Sequence, residues 1–476
     1  MLRHIFRRKS IWILTVLILI LTGIIIFNKT KQLPDGTSFE GDVHYIDEVE
    51  FLSDLTYQKP DGEMTAEQEI FKEIFNVILE AKEFVVVDMF LFNDYTDQDR
   101  NFPDLSGRLT QALIEQKKKH PNLQVVFITD PINTGYHSYT EKHIEKLKNN
   151  DIEVVMSNLS ELRDSNTFYS AGWRLLFQAF GQKGKGWLPN ALAEEAPKMT
   201  ARSYLELFNV KANHRKAVAT EKNAIISSAN PHNESGFASN IAFKVSGDII
   251  HDIVDAEQAV INYSEGKTII DHAEKVQQTE GNIAVQYLTE GKILKHILQE
   301  IKQADAGDMI WLGMFYIADR DVIEALHDAS DRGAKVQMIL DPNKVAFGNQ
   351  KAGLPNIPVA AGMANNEDLS IRWYETDKDQ YHTKLLYIKK ENEGVLIGGS
   401  ANHTTRNLDD LNLENNIKIT SSIESQVMKD VDQYFERLWN NEDGLFTSSY
   451  KTNEDSLTPL LRTTYWVQKV SGLTTY

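Results

Sequence analysis

A pattern of reactive residues that occurs twice constrains this chain more than any other feature of its sequence. The two copies contain the same residue types in the same order, His214, Lys216 and Asn230 in the first and His382, Lys384 and Asn402 in the second. Residues two apart in a strand leave the same face, so each His and its Lys are expected to project together. Two copies in similar local settings predict two half-sites that meet to build one active site.

The segments before the two copies also resemble each other. Each half has a helical pattern, a buried strand, a second helix and another buried strand, with the strand patterns at 84–92, 123–131, 309–315 and 335–342. The second strand of each half ends in Asp-Pro, and we interpret Asp130 and Asp341 as strand-end caps. Thr65–Gln68 has the form of a capping box for the first helix. Helices alternating with strands predict an α/β sandwich with helices outside a mixed sheet.

The chain has 476 residues, which is long enough for two or more domain-sized units. We predict a first half over 46–263 and a second half over 283–445, joined by a polar connector at 264–282. An exposed polar linker at 28–45 precedes the first half, and an extension at 446–476 follows the second.

The first half is longer than the second because it contains an insertion at about 160–208. This insertion has Trp and Phe residues close to a glycine-rich bend at Gly181–Gly186. An amphipathic aromatic segment of this kind suits a contact with a membrane interface or a pocket for acyl chains. A buried helical hairpin that covers the fold is the other interpretation, and we favour it because aromatic stripes usually lie in cores.

Residues 1–27 predict a cytoplasmic basic tail followed by a transmembrane anchor. Ile11–Phe27 is almost entirely apolar, follows a cluster of basic residues, and would span roughly 25 Å as a helix. The basic excess on its amino-terminal side predicts a single-pass protein of the cell membrane, with the large domain outside the cytoplasm. A cleaved signal peptide is the alternative, but no A-x-A-like site follows Phe27, which favours an uncleaved anchor.

The composition excludes several kinds of chemistry. Cysteine is absent, which excludes thiol catalysis, disulfides and cysteine-ligated metals. The histidines lack the spacing of metal ligands, so we predict no metal and no other cofactor. A formal net charge of -18 disfavours broad binding to nucleic acid, whose phosphates require basic surfaces.

The repeated residue types suit the cleavage of a phosphodiester bond. One neutral imidazole can attack phosphorus and carry it covalently, while a second can protonate the leaving oxygen and then activate the acceptor. Two Lys ammonium groups and two Asn amides can stabilise the charge on the non-bridging oxygens. This chemistry requires no metal.

These residues resemble the duplicated H-x-K-x4-D motif of the phospholipase D superfamily, in which a small-residue turn ending in Asn follows each copy. The resemblance covers about residues 45–445. It implies two α/β halves related by a pseudo-twofold axis, an active site at their interface and a covalent phosphohistidine intermediate. By this resemblance the catalytic residues are His214, Lys216, Asn230, His382, Lys384 and Asn402, and the turns contain Ser228 and Ser400.

Two positions depart from the motif, since Glu221 and Lys389 stand where the family has Asp. The resemblance implies a structural role for this position outside the phosphate pocket, so both changes are expected to be tolerated. We place Glu221 among the residues that support the site. The carboxylate that orients a histidine is expected after the Asn, and Glu414 lies at a fitting distance to pair with His382.

The first half has no clear counterpart of Glu414. Glu234 is the nearest acid after the first motif, while Asn240 lies closer to the equivalent position. A carboxylate makes its histidine more basic, so His214 and His382 are expected to differ. From the habit of the family we expect His214 to be the nucleophile.

The sequence therefore predicts a membrane-anchored phospholipase D-like enzyme that hydrolyses the headgroup phosphodiester of glycerophospholipids. The anchor, the acidic surface and the aromatic insertion favour phospholipid in a membrane as the partner, with no nucleic acid. Three alternatives stay open: a phosphatidyltransferase resembling cardiolipin synthases, a metal-independent nuclease, and an inactive lipid-binding protein that retained the fold.

Overall fold

The fold consists of two mixed sheets with helices on their faces. The computed structural model describes residues 2–96, 100–182, 184–193, 195–272, 277–346, 349–350, 352–364, 368–376 and 378–471. The helices are α1 (Leu2–Thr30), α2 (Ile70–Glu80), α3 (Leu105–Lys119), α4 (Lys142–Lys148), α5 (Thr167–Leu176), α6 (Ala201–Leu207), α7 (Ile249–Tyr263), α8 (Gly291–Lys302), α9 (Arg320–Asp331), α10 (Asn356–Met363), α11 (Thr405–Leu408), α12 (Gln426–Asn440) and α13 (Pro459–Ser471). The strands are β1 (His44–Ile46), β2 (Glu50–Gln58), β3 (Met64–Glu67), β4 (Phe84–Met89), β5 (Gln124–Thr129), β6 (Glu153–Met156), β7 (Lys216–Thr220), β8 (Asn223–Ser227), β9 (Asn240–Ser246), β10 (Ile283–Thr289), β11 (Met309–Met314), β12 (Lys335–Leu340), β13 (Val345–Ala346), β14 (Asn349–Gln350), β15 (Leu369–Tyr374), β16 (Lys384–Lys389), β17 (Glu393–Gly399), β18 (Asn415–Ser422) and β19 (Thr447–Ser449).

Seven strands follow the same order in the two large sheets. The first sheet runs β3-β2-β9-β8-β7-β4-β5-β6, and the second runs β1-β10-β18-β17-β16-β11-β12-β15-β19. Strands β4, β5 and β6 are parallel to one another, as are β11, β12 and β15, while the other neighbours are antiparallel. The repeated order confirms the predicted α/β class, and it places the two motifs on equivalent strands, β7 and β16.

The two sheets share one hydrophobic core between them. Phe243 of β9 belongs to the same buried cluster as Leu385 of β16 and Ile417 of β18. Gly398 of β17 permits this close approach, because a Cβ at that position would lie 2.9 Å from the Phe243 ring. Each outer face has a separate core, covered by α2 and α3 in the first half and by α8 and α9 in the second. The shared core holds the two motifs against each other.

A buried arginine joins the two halves beside this core. The guanidinium of Arg215 lies 2.8 Å from the carboxylate of Glu290 and 3.3 Å from that of Glu257. Glu290 belongs to the second half, where the same carboxylate accepts the backbone N–H of Glu414 at 3.0 Å. The three charged side chains are at most 1% exposed, so each depends on the others to offset the free energy lost on leaving water.

The start of the first helix differs from the prediction. Residues 64–67 form strand β3, so the capping box predicted at Thr65–Gln68 is wrong. Asp54 of β2 supplies the missing acceptor, since its Oδ1 accepts the N–H of Glu69 at 2.7 Å and that of Ile70 at 3.0 Å. A carboxylate brought by tertiary packing thus satisfies the donors that a local side chain was expected to cap.

The chain before the first half and after the second half extends the second sheet. The predicted linker at 28–45 is not exposed throughout, because its end enters β1, which pairs with β10. Strand β19, within the predicted extension at 446–476, pairs with β15 at the opposite edge. Both edges of the second sheet are therefore lengthened by flanking segments that carry no buried-strand pattern of their own.

The amino-terminal helix α1 contains the predicted anchor and extends past it. Within α1, Ile11–Thr30 is long and apolar enough to cross a membrane, with a mean hydropathy of 2.6. Its last turns are partly covered at Leu21, Ile24 and Ile25, where α5 packs against them. The anchor is thus attached to the insertion of the first half.

The insertion forms α5, α6 and a connecting loop on the side of α1. Trp173 and Met199 are buried beneath it, whereas Phe168, Phe180 and Trp187 are 75%, 68% and 66% exposed. The favoured prediction of a buried helical hairpin is therefore wrong for these three aromatic residues. The insertion buries Trp173 and Met199 on its inner side, whereas its outward side keeps apolar side chains exposed.

Candidate active site

The two predicted histidines precede equivalent strands at the junction of the halves. His214 comes immediately before Arg215 and β7, and His382 comes shortly before β16. The two residues are 8% and 7% exposed. Antiparallel pairing of β7 with β4 and of β16 with β11 fixes where each strand begins. The two imidazoles consequently lie at corresponding positions of the repeated sheet.

Asp130 and Asp341 hold the backbone that carries the histidines. One oxygen of each carboxylate accepts an N–H of its own turn, which confirms the predicted role as a cap. The other oxygen accepts the N–H of the residue before the histidine, at 2.7 Å in both halves. Burial raises the pKa of both acids to about 7. Their contribution to the site is to position the backbone.

Each histidine takes its hydrogen-bond partner from the other half. His214 Nδ1 lies 2.9 Å from Glu414 Oε2, and His382 Nδ1 lies 3.0 Å from Asn240 Oδ1. The residue before each histidine forms a backbone bridge with the residue before its partner, Asn213 with Leu413 and Tyr381 with Ser239. The predicted pairing of Glu414 with His382 is therefore wrong, since Glu414 follows the second motif in sequence but contacts the histidine of the first.

The surroundings of Glu414 set the form of His214. Its carboxylate accepts hydrogen bonds from the Ser400 hydroxyl and the Asn407 amide. In its ionised form the Glu414 carboxylate only accepts, so His214 Nδ1 then carries the hydrogen and Nε2 presents a lone pair. Ser400, predicted to lie in the second small-residue turn, thus supports the histidine of the first motif.

Asn240 has the equivalent place beside His382. Its amide nitrogen donates to the carbonyl of Ala238 at 3.0 Å, and its Oδ1 accepts from Ser228 Oγ at 3.0 Å. These contacts direct the oxygen of Asn240 toward His382, whose Nδ1 therefore donates to a neutral acceptor. The two histidines have equivalent geometry and chemically different partners.

The two predicted lysines lie beneath the histidines. Lys216 Nζ donates to the carbonyl of His214, and Lys384 Nζ donates to the carbonyl of His382, both at 2.7 Å. Lys216 is fully buried and Lys384 is 1% exposed. Burial lowers the pKa of both lysines, and an anion bound beside them would favour their ammonium forms. The centre is therefore suited to bind an anion.

Two aromatic rings that the sequence analysis did not single out support these pairs. The Phe90 ring centroid lies 4.9 Å from that of His214, and the Phe315 centroid lies 5.0 Å from that of His382. Phe90 directly follows β4, and Phe315 directly follows the equivalent strand β11. Superposing the two repeats would have identified both residues.

A cavity of about 560 Å³ opens above the two histidines. Asn230 and Asn402 line it together with both imidazoles. Asn230 Oδ1 accepts the backbone N–H of Leu91 at 3.3 Å, whereas the buried Asn402 Oδ1 has no partner within the part of the chain that the structure describes. The structure thus brings the residues predicted from both motifs to one place.

The wall of the cavity contains groups from both halves that the motifs do not include. Arg100 and Asp379 form a two-pronged ion pair across it, at 2.8 and 2.9 Å. His232 lines the wall, with Nε2 3.0 Å from the carbonyl of Tyr95. Glu234, the nearest acid after the first motif, lies beside His232 at 4.0 Å.

The electrostatics of the centre favour neutral imidazoles. Burial, with Lys216 and Lys384 nearby, holds the pKa of His214 well below its usual range. Burial, Lys384, Lys216 and His214 hold the pKa of His382 well below its usual range too. Burial also lowers the pKa of Lys216 to about 7 and raises that of Glu414 to about 7. A neutral imidazole is the form that a nucleophile requires.

The two positions that depart from the family motif lie outside the cavity. Glu221 accepts the backbone N–H groups of Lys82 at 2.9 Å and Glu83 at 3.3 Å, beyond the far end of β7. Placing Glu221 among the residues that support the site is therefore wrong. Lys389, at the far end of β16, forms an ion pair with Asp432. Neither charge reaches the histidines.

One group of side chains has the composition of a metal site, apart from the histidine pair. Asp94, Glu141 and His143 place one ligand atom each within 4.8 Å of one another. Glu141 Oε2 already caps α4, and Lys142 forms an ion pair with Asp94. The lysine supplies the positive charge that a cation would otherwise bring.

Comparison with known proteins relates the second half to one family. Residues 297–439 match the family model described as "Cardiolipin synthase, PLD-like domain". This segment includes His382, Lys384, Asn402 and Glu414. No curated protein matches the sequence.

Solved structures share the fold at low sequence identity. Phosphatidylserine synthase from Haemophilus influenzae Rd KW20 is similar with a TM-score of 0.56 and 11% identity, over 94% of this chain and 97% of that chain. Polyphosphate kinase from Porphyromonas gingivalis gives 0.41 and 9% over 82% and 50% of the two chains. Nuc, a phospholipase D family member from Salmonella typhimurium, gives 0.26 and 17% over 34% and 97%. The first of these similarities establishes the architecture of both halves.

Proposed function

We propose that this chain, which belongs to the phospholipase D superfamily, cleaves the headgroup phosphodiester of glycerophospholipids through a phosphohistidine at His214. Membership of that superfamily supports an enzyme that acts on phosphodiester bonds. The observation that carries the finer proposal is the unequal pairing of two equivalent histidines, Glu414 with His214 and Asn240 with His382. One imidazole is thereby made the stronger nucleophile and the other the stronger acid.

In the first step His214 Nε2 attacks phosphorus, and the bond from phosphorus to the headgroup oxygen breaks. The Nδ1–H of His214 donates to Glu414, and this carboxylate stabilises the positive charge that the ring acquires as the P–N bond forms. Lys216, Lys384 and the amides of Asn230 and Asn402 are suited to stabilise the charge on the non-bridging oxygens.

The proton for the leaving headgroup comes from His382. Its partner Asn240 is neutral and stabilises an imidazolium less than a carboxylate does, so protonated His382 is the better acid. A bound phosphodiester anion favours protonation of this ring, which supplies the proton when substrate is present. The now neutral His382 then removes a proton from the acceptor, whose oxygen attacks phosphorus and releases His214.

The acceptor decides between two reactions with the same first step. Water gives phosphatidic acid, which is the hydrolysis predicted from the sequence. An alcohol gives a new phospholipid, and the match of residues 297–439 to the cardiolipin synthase domain favours this second candidate. Either acceptor would meet the same phosphohistidine and the same His382.

The proposal is tested with the full chain reconstituted in phospholipid vesicles. We expect release of headgroup by the unchanged chain, and a transfer product when a primary alcohol such as glycerol is added. His214→Ala should release neither. Absence of both products from vesicles of phosphatidylglycerol, phosphatidylethanolamine and phosphatidylcholine would contradict the proposal, and cleavage of single-stranded DNA in place of lipid would favour a nuclease.

The pH profile offers a second test. Lys384 helps to hold down the pKa of both histidines, so Lys384→Met removes a positive charge and raises those pKa values. The neutral fraction of His214 is then lost at a higher pH as the solution is acidified. We expect the acidic limb of the kcat/KM profile to move to higher pH, measured with an activated phosphodiester.

Lys389→Met is the matched control for this shift. Lys389 lies on the same strand but pairs with Asp432 away from the cavity. The acidic limb of the kcat/KM profile of Lys389→Met should coincide with that of the unchanged chain. An unmoved limb in Lys384→Met would show that Lys384 does not influence the group that titrates.

A further inference from the structure

We propose that the insertion is a second membrane-contacting surface, which enters the headgroup region of the bilayer beside α1 and holds the cavity at that surface. We define the insertion surface as the exposed apolar side chains of this segment, Phe168, Leu175, Leu176, Phe177, Phe180 and Trp187. The benefit of this surface to catalysis rests on the proposed phospholipid substrate. Its contact with lipid can be measured without catalysis.

The exposure of these side chains is the first observation. Phe168 is 75% exposed, Phe180 68%, Trp187 66% and Leu176 59%. Single exposed apolar side chains are ordinary on a water-soluble surface, but six in one short segment mark a surface that is covered in use. The described part of α5 buries Ala171 and Trp173 on its other face, so the outward side chains are not needed for the core.

Hydrogen bonds attach the start of the insertion to the carboxyl end of α1 and to the residues that follow it. The N–H of Asp164 donates to the carbonyl of Asn28 at 3.1 Å, and Arg163 Nε donates to the carbonyl of Lys31 at 3.0 Å. Lys31 Nζ in turn donates to the carbonyl of Ser160 at 2.8 Å. These bonds attach the start of the insertion to the residues where the candidate span ends, which is the level of the lipid headgroups.

The packing of α5 extends this attachment into the span itself. Leu21, Ile24 and Ile25 of α1 are partly covered where α5 lies against the helix. These positions have the spacing of one helical face. The insertion surface is therefore continuous with the apolar surface of α1, and a bilayer that α1 spans would meet the insertion surface at this edge.

The composition of the loop also fits a lipid interface. The exposed Lys185 lies two residues before Trp187. The backbone N–H of Trp187 donates to the carbonyl of Met199, which follows the exposed Lys198. Trp is favoured at the level of the headgroups, and lysines there attract anionic phospholipids. With six basic and five acidic residues, the insertion at 160–208 is close to neutral, unlike the whole chain with its net charge of -18. It therefore lacks the acidic excess that would repel anionic lipid.

The inner side of the same insertion reaches the cavity. Leu192, Leu207 and Val210 line the cavity together with His214 and His382. The segment therefore has one side toward α1 and the bilayer and another toward the histidines. A phospholipid could move from the bilayer to the cavity along this apolar wall with its acyl chains remaining covered.

The depth of single side chains in a membrane tests the proposal. The chain has no cysteine, so Phe180→Cys and Trp187→Cys each give one site for a nitroxide label in the full chain. The labelled chains are reconstituted in vesicles of phosphatidylcholine and phosphatidylglycerol. Collision with oxygen, which concentrates in lipid, is compared with collision with a water-soluble nickel complex by electron paramagnetic resonance. We expect both labels to lie about 5–10 Å into the interface.

Ile269→Cys is the matched control. Ile269 is 75% exposed, and its carbonyl accepts from Gln124 at the beginning of β5, whereas the insertion follows the end of the parallel strand β6. Its label should meet the nickel complex freely. Nickel accessibility at residues 180 and 187 equal to that at residue 269 would overturn the proposal.

A catalytic readout separates this proposal from the proposed function. The double variant Phe180→Ser with Trp187→Ser should lower headgroup release from vesicles about 10-fold. Its rate on a dispersed phospholipid with short acyl chains should equal that of the unchanged chain. If no lipid is cleaved at all, the proposed function fails while the depth measurement still decides the insertion surface. Equal losses on both substrates would overturn the role of the surface in substrate access.

Discussion

His382→Ala should accumulate a phosphohistidine that His214→Ala cannot form. With an ordinary phospholipid, both variants should lose at least about 10⁴-fold in turnover, because the nucleophile and the acid act as one unit. A nitrophenyl ester of phosphatidic acid separates them, since its leaving group departs without a proton. His382→Ala should then release one nitrophenolate per enzyme and stop, while His214→Ala releases none. Acid-labile phosphate bound to the protein, detected by 31P NMR, is the second measurement.

The two partner residues provide the matched variants. Glu414→Gln removes the charge that stabilises the His214 adduct, so it should slow the burst itself. Asn240→Asp makes His382 more basic and a poorer acid, so it should slow turnover of ordinary lipid more than the burst. His232→Ala, which removes another imidazole of the cavity wall, should retain both steps. A burst in His214→Ala and none in His382→Ala would reverse the assignment of the two roles.

Arg215→Met should destabilise the fold by about 3–5 kcal/mol, because it leaves Glu257 and Glu290 buried without their cation. The loss is measured as the change in the free energy of unfolding by denaturant, using the full chain in detergent. Burial raises the pKa of Glu290, and Arg215 opposes that rise. Without the arginine the folded-state pKa rises further, so stability is retained at low pH and lost as the pH rises through that value.

The deficit of Arg215→Met should therefore be largest near neutral pH and smaller near pH ~5. Lys59→Met is the control, since Lys59 and Glu63 form an exposed ion pair at 3.4 Å, and exposed pairs contribute about 0–1 kcal/mol. Equal stability of Arg215→Met and the unchanged chain would show that the two carboxylates find other compensation. A deficit independent of pH would point to lost packing in place of lost charge pairing.

The repeated sheet was predictable because the same order of strand and helix patterns occurs in both halves of the sequence. Buried-strand patterns at 84–92, 123–131, 309–315 and 335–342 correspond to β4, β5, β11 and β12. Short apolar runs between amphipathic helices leave few alternatives to strands of a mixed sheet. The same duplication made it possible to select His214 and His382 among the 13 histidines of the chain.

The pairing of the histidines was not predictable, because sequence distance does not report which half supplies a partner. Glu414 lies closer to His382 along the chain, yet the backbone bridge from Asn213 to Leu413 sets it beside His214. Burial of the aromatic side chains in a hairpin was favoured over a membrane contact for a related reason. A stripe of Trp and Phe buried in a core and one left at the surface have the same sequence pattern, and only the packing of the insertion shows which side chains stay exposed.

The exchange of partners across the junction has a consequence for how such a chain arose and can change. A single half would contain a histidine without its acceptor and an acceptor without its histidine. An isolated half would therefore form a complete site only by pairing with a second copy. Two identical copies would offer two interchangeable imidazoles. In this single chain one acceptor is a carboxylate and the other is an amide. Under the proposed mechanism this difference sets the direction in which the proton moves. A substitution at Glu414 or Asn240 therefore changes the surroundings of the histidine in the opposite half.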